Sequence, residues 1–138
     1  MAGSQPGFEE IDHTADIAIR VWGRDLAELF ANAARGLARQ VAYGDGHGPR
    51  AEERIDLEAY DAETLLVTWL SELLYLTERD SRVFAEFEML EVTPHKLCAI
   101  ARGASIDRRR RTIKAVTFSD LIIRSTESGY QATLVFDV

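Results

Sequence analysis

Between Asp61 and Thr77 the chain carries more apolar surface than one side of a helix can hide. Leu65, Leu66, Val67, Trp69, Leu70, Leu73, Leu74 and Leu76 recur at helical spacing and cover most of the circumference. The polar remainder, Thr64, Thr68, Ser71, Glu72, Tyr75 and Arg79, is a narrow stripe. A helix of this kind has to be buried on more than one side, so it belongs at the centre of the core with other elements around it. Asp61 stands where an N-cap side chain would accept from the first orphan backbone N–H groups.

The surrounding elements can be read in the same way. Asp25 followed by Glu28 opens a second helix, in which Leu26, Leu29, Phe30, Ala33, Ala34, Leu37 and Val41 share one face. Arg35 and Arg39 lie on its other face, toward the negative end of the helix dipole. Phe8 to Trp22 is strand-like, with Ile17, Ile19 and Val21 alternating against Ala18, Arg20 and Trp22, and a bend through the polar residues 12–16. Gly44 to Pro49 reads as a loop and Glu53 to Glu58 as a short strand. Beyond Asp80 the signals are β throughout. Val83–Val92 turns at Thr93–Lys96 into Leu97–Arg102, a polar stretch covers Gly103–Arg111, and Thr112–Arg124 follows. Glu127-Ser128-Gly129 turns into Tyr130–Val138, where Tyr130, Ala132, Leu134, Phe136 and Val138 share one face. The expected fold is one α+β domain over residues 8–138, after a flexible lead-in at 1–7. Two long helices pack on antiparallel or mixed β-sheets.

A chain of 138 residues is long enough to form this core without a disulfide or a structural metal. Its single cysteine, Cys98, cannot pair internally, no Cys/His cluster has zinc spacing, and no secretory pattern opens the sequence. The expected setting is the reducing cytoplasm, with no membrane span. With 23 acidic and 16 basic side chains the net charge is −7, which argues against a general nucleic-acid or DNA binder. The balance is uneven, however. Residues 1–100 hold 19 acidic and 9 basic side chains, residues 101–138 hold 4 and 7, and Arg108 to Arg111 are consecutive.

Few residues offer chemistry. No phosphate-binding glycine loop is present, and Cys98 lies in an apolar strand where a packed thiol is the simpler reading. Ser119-Asp120 has no histidine tied to it by local spacing. His47 and His95 fall in turn-like segments, whereas His13 precedes Asp16 at the mouth of a strand. Asp16 begins an otherwise apolar strand, and Asp137 stands beside the terminal carboxylate of Val138. If the last strand lies beside the first, these oxygens share an edge and repel each other unless a hard cation neutralises them. On spacing alone, a solvated terminus and a turn cap account for the same residues.

Five segments in register resemble the archease family. They are Phe8 to Ile17 with its His13-Thr14-Ala15-Asp16, Leu26 to Ala34, Trp69 to Leu76, Ile113 to Phe118, and Val135 to Val138. The resemblance implies a small cytoplasmic accessory protein of an RtcB-type RNA ligase, not an enzyme itself. Such a protein promotes guanylylation of the ligase's active-site histidine, permits multiple turnover in tRNA splicing and RNA repair, and broadens the nucleoside triphosphates accepted. It also implies a divalent-cation site at Asp16, Asp137 and Val138, with Ca²⁺ preferred and Mg²⁺ or Mn²⁺ as alternatives, and with His13 and Lys114 in support. RNA is then reached only through the partner. The chain departs from the family at Ala104, where members often carry glutamate. It departs again at Arg108–Arg111 and Ser119, where histidines are common. The cation triad is intact. The competing readings are a stand-alone metal-dependent phosphoester hydrolase, which would need His13 as base, and a chaperone-like or RNA-binding module using Arg108–Arg111.

Overall fold

The computed structural model describes residues 7–11 and 16–138. In chain order the elements are β1 (Phe8–Ile11), β2 (Ile17–Gly23), α1 (Leu26–Val41), β3 (Ala42–Tyr43) and β4 (His47–Glu58). There follow α2 (Ala62–Asp80), β5 (Arg82–Val92), β6 (Lys96–Ser105), β7 (Arg108–Arg109), β8 (Ala115–Thr117), β9 (Arg124–Thr126) and β10 (Gly129–Asp137). A five-stranded sheet runs β1-β2-β10-β8, with β9 also on β10. A three-stranded sheet runs β4-β6-β5, and β3 pairs with β7. Every pairing among the described residues is antiparallel, so the sheets are not mixed. No helix is long and apolar enough to cross a membrane.

Both helices begin where the capping residues place them. The Asp25 side chain accepts from the Glu28 N–H at 2.8 Å, and the Asp61 side chain accepts from the Thr64 N–H at 2.8 Å. Glu28 reaches back one residue beyond the usual capping box and takes the Arg24 N–H at 2.7 Å. α2 extends to Asp80, past the expected end near Thr77, and stops at Ser81 in the left-handed region at φ 54. α1 packs on β2 and β5, while α2 packs on α1 and on strands of both larger sheets. The enclosure expected for α2 is therefore realised. Trp69 is 0% exposed, its indole N–H donates to the Phe30 carbonyl of α1 at 3.0 Å, and its ring meets Phe87 of β5 edge-on at 5.8 Å.

Three expectations change. First, the strand predicted at Glu53–Glu58 begins at His47, so only the start of Gly44–Pro49 is a loop. Gly46 and Gly48, at φ +85 and +81, permit the register shift between His47 and Ala51 that lets this segment join the sheet. Second, Gly103, Ala104 and Ser105 extend β6 rather than starting a polar stretch. Ala104 faces Val83 and is 0% exposed, so backbone pairing and small size outweigh the local polarity. Third, Thr112–Arg124 is not one strand. Ala115–Thr117 pairs with the end of β10, residues 118–123 are unpaired, and Arg124 begins a separate strand, Arg124–Thr126, on the other end of β10.

The Trp69 hydrogen bond is a buried link between the two helices. Trp69→Phe should destabilise the protein by about 1–3 kcal/mol, because it removes a buried hydrogen bond and part of a packed ring. Trp69→Ala should cost about 3–5 kcal/mol by opening a cavity. Urea unfolding followed by circular dichroism checks both. A Phe variant indistinguishable from wild type would show that the hydrogen bond contributes nothing.

Candidate functional site

β10 lies between β2 on one side and β8 and β9 on the other. Its ladder with β2 runs from Tyr130↔Gly23 to Phe136↔Ile17. Core residues hold that register: Ile19 opposite Leu134 and Val21 opposite Ala132 are all buried. Continued by one residue, it sets Asp137 opposite Asp16, joining residues from the two ends of the chain. On its other side Asp137 pairs with Ala115, and the Lys114 backbone N–H donates to the Asp137 carbonyl at 2.7 Å. The sheet thus brings Asp16, Asp137, Val138 and Lys114 to one corner. His13 lies outside the described residues.

This corner is accessible. Asp137 and Lys114 are exposed, Val138 is 40% exposed, and Asp16 is half-buried. Among the described residues, no three His, Cys, Asp or Glu side chains form a group able to hold a metal ion. At this corner the side chains that could offer donors to a cation are the Asp16 and Asp137 carboxylates. That donor set is all oxygen and suits a hard divalent ion. Beside it opens a groove of about 310 Å³, walled by Leu74, Tyr75 and Glu78 of α2 and by Ile113, Lys114 and Val116.

The four consecutive arginines do not form a free basic patch. Arg108 stacks over Tyr43 at 4.7 Å, and Arg109 pairs with Glu78 at 3.0 Å. Arg110 pairs with Glu10 at 2.9 Å and donates to the Arg39 carbonyl at 3.2 Å, while Arg111 donates to the amide oxygen of the buried Gln40. Two of these residues form β7 against Ala42–Tyr43. The segment ties β1, the end of α1, and α2 together. Sequence reasoning missed this because every partner is distant in the chain. The one local clue was Gln40, a polar residue among the apolar positions near the end of α1.

The remaining candidates lie in the three-stranded sheet, away from the corner. Cys98 is buried opposite Asp56. The neighbouring Asp56 carboxylate, and then burial, push its thiol pKa up, so it remains a protonated packing group. His47 opens β4 and pairs with Asp107 at 3.2 Å, and His95 sits in the turn before β6.

Comparison with known proteins gives a consistent picture. The model of the archease protein family (MTH1598/TM1083) matches residues 8–138. The chain is 35% identical to the protein archease of Methanosarcina barkeri over the whole of both chains. It is 38% identical to that of Saccharolobus islandicus (strain M.14.25 / Kamchatka #1), covering 95% of this chain and 98% of the relative. Among solved structures it is similar to Methanobacterium thermoautotrophicum protein 1598, with TM-score 0.74 and 28% identity over 97% of this chain and 100% of the other. It shares its fold with an archease and possible chaperone from Thermotoga maritima, with TM-score 0.67 and 19% identity over 94% and 96% of the two chains.

The Glu10–Arg110 contact beneath the arginine run carries a pH signature. The Arg110 guanidinium, helped by the Gln40 amide, holds the Glu10 carboxyl below its ordinary range. A depressed carboxyl contributes stability that is present above its ordinary pKa and is lost as pH falls through the lowered value. Arg110→Ala should therefore be less stable than wild type near neutral pH, and the gap should narrow as pH drops below about 4.5. Unfolding at a series of pH values checks this, and a gap independent of pH would contradict it.

Proposed function

The chain belongs to the archease family, and from that premise we propose that it activates an RtcB-type RNA ligase. In this reading it promotes guanylylation of the ligase's active-site histidine, supports multiple turnover in tRNA splicing and RNA repair, and widens the range of nucleoside triphosphates used. It is a non-catalytic cytoplasmic cofactor that touches RNA only through its partner. A divalent cation is held by Asp16, Asp137 and the Val138 carboxylate.

The observation that carries this reading is the β2–β10 register, which ends at Ile17↔Phe136 and directs Asp16 and Asp137 to one corner. The cation, when bound, supplies positive charge close to a triphosphate. The protein's own residues do the rest. Asp137 supplies hard oxygen donors from the end of β10 and Asp16 from the residue just before β2, and buried neighbours fix the register of those two strands. The Lys114 N–H fixes the Asp137 main chain at that edge. An activator accelerates only by favouring the arrangement nearest the transition state, since equal stabilisation of ground and transition states leaves the rate unchanged. The internal partners of Arg108–Arg111 count against the RNA-binding alternative.

Single-turnover guanylylation of the ligase with GTP and Mn²⁺, with and without this chain, tests the proposal. Wild type should accelerate the step. Asp16→Asn and Asp137→Asn should each remove most of that acceleration while leaving the protein folded, as checked by circular dichroism. Amidating the Val138 carboxylate, which removes its charge without shortening the chain, should weaken Ca²⁺ binding measured by calorimetry. No acceleration at stoichiometric protein would sink the proposal, and an unchanged titration would remove the Val138 carboxylate from the site.

A further inference from the structure

β8 and β9 are two halves of one sheet edge. They pair with β10 at Val135↔Thr117 and Gln131↔Arg124, and the chain between them holds three residues more than a continuous strand would need. The surplus loops out over 118–123, and it is pinned. Leu121 is buried and Ile123 packs against the core. The Leu121 N–H donates to the Phe118 carbonyl at 3.0 Å, and the Ile123 N–H donates to Glu63 Oε2 at 3.0 Å. Asp120 takes the left-handed turn at φ 55.

This fixed loop directs two large apolar side chains into solvent: Phe118 is 56% exposed and Ile122 is 51% exposed. Of the other exposed aromatics, Tyr43 and Tyr75 carry the guanidinium groups of Arg108 and Arg79 over their rings, and among the described residues Tyr60 stands alone before α2. Single exposed apolar residues are ordinary, but two held outward by one pinned loop form a patch. At the ends of the segment stand Lys114 and Arg124, both exposed. Neither makes an ion pair among the described residues, although most basic side chains of this acidic chain do.

We infer that Lys114–Arg124 is a protein-docking edge, seating Phe118 and Ile122 in an apolar pocket of the partner whose rim carries carboxylates. The inference rests on the activator reading, under which that partner is the ligase. Charge complementarity selects the rim, because two unpaired cations flank the apolar centre and attract acidic groups. A preformed loop loses little conformational freedom on docking, and an aromatic anchor at the centre is where binding energy concentrates. RNA fits less well. It would need rings in series and a run of cations, whereas here the ring is followed by the Asp120 carboxylate and an aliphatic Ile122. The edge is also continuous with the carboxylate corner through Ala115↔Asp137, so a partner seated on the loop has that corner at its border.

The test titrates wild type, Phe118→Ser/Ile122→Ser, Arg124→Glu and Asp137→Asn against the ligase with GTP and Mn²⁺, reading single-turnover guanylylation. The double variant and Arg124→Glu should raise the half-saturating concentration about tenfold or more and reach the wild-type plateau. Asp137→Asn should lower the plateau at unchanged half-saturation. Half-saturation within about twofold of wild type for both surface variants would overturn the docking edge while leaving the activator reading intact. If the double variant fails to fold, Arg124→Glu decides alone. No effect of wild type on the ligase would overturn both readings. Sedimentation showing a dimer that Arg124→Glu or the double variant dissolves would make the edge a self-interface and overturn the inference.

Discussion

β10 can occupy the middle of its sheet only because residues 130–136 fold back against residues 17–23 from the other end of the chain. This ladder closes the domain. β1 adds to it through β2, and β8 and β9 add to it through β10, so the five-stranded sheet has no continuous path without it. Pairing across such a separation carries a closure cost that local contacts do not. It is offset by burial of Ile19, Val21, Ala132, Leu134 and Phe136 against the helices. A one-residue slip would turn these side chains outward, so the register is strongly specified. At the far end of the ladder Gly129, at φ +140, crosses so close to Gly23 that a Cβ would lie 2.1 Å from the Gly23 carbonyl oxygen. Any larger residue there would have to displace backbone.

The same ladder that secures the core also fixes what lies at its open end. Asp16 and Asp137 each lie one residue beyond the Ile17↔Phe136 pair, so the register of the ladder sets where they stand along the sheet edge. Over much of the surface the charges are matched in pairs. Arg102 is held between Glu52 and Glu88, Arg79 between Glu53 and Asp80, and the arginine run is engaged with Tyr43, Glu78, Glu10 and Gln40.

Much of this was legible in the sequence where the signal was local. The caps Asp25 and Asp61, the apolar face of α1, the all-round burial of α2 and the inward face of the last strand depend on residues within a turn or two of each other. What was not legible depended on distant partners. Arg108 to Arg111 read as part of a polar stretch because Glu10, Gln40, Tyr43 and Glu78 are brought near only by the fold. Thr112–Arg124 read as one strand because its apolar residues alternate well enough. Only the two registers on β10 reveal the three-residue surplus that forces the loop. His47–Pro49 read as loop because glycine and proline usually break strands, yet here positive φ at Gly46 and Gly48 serves a register shift. The pairing of the first and last long strands enters the sequence reading only as a condition for Asp16 and Asp137 to share an edge, and the sheet order meets that condition.

The central claim is that one ladder builds one cation site from the two ends of the chain. It is tested most directly by titrating ¹⁵N-labelled protein with Mn²⁺ and mapping paramagnetic broadening of the backbone amides. The account predicts that the earliest losses fall together on residues 16–17, 114–115 and 136–138, and that Asp137→Asn abolishes all of them at once. Broadening that begins on the acidic outer face of the three-stranded sheet, around Glu86, Glu88 and Glu91, and leaves the corner sharp would contradict it.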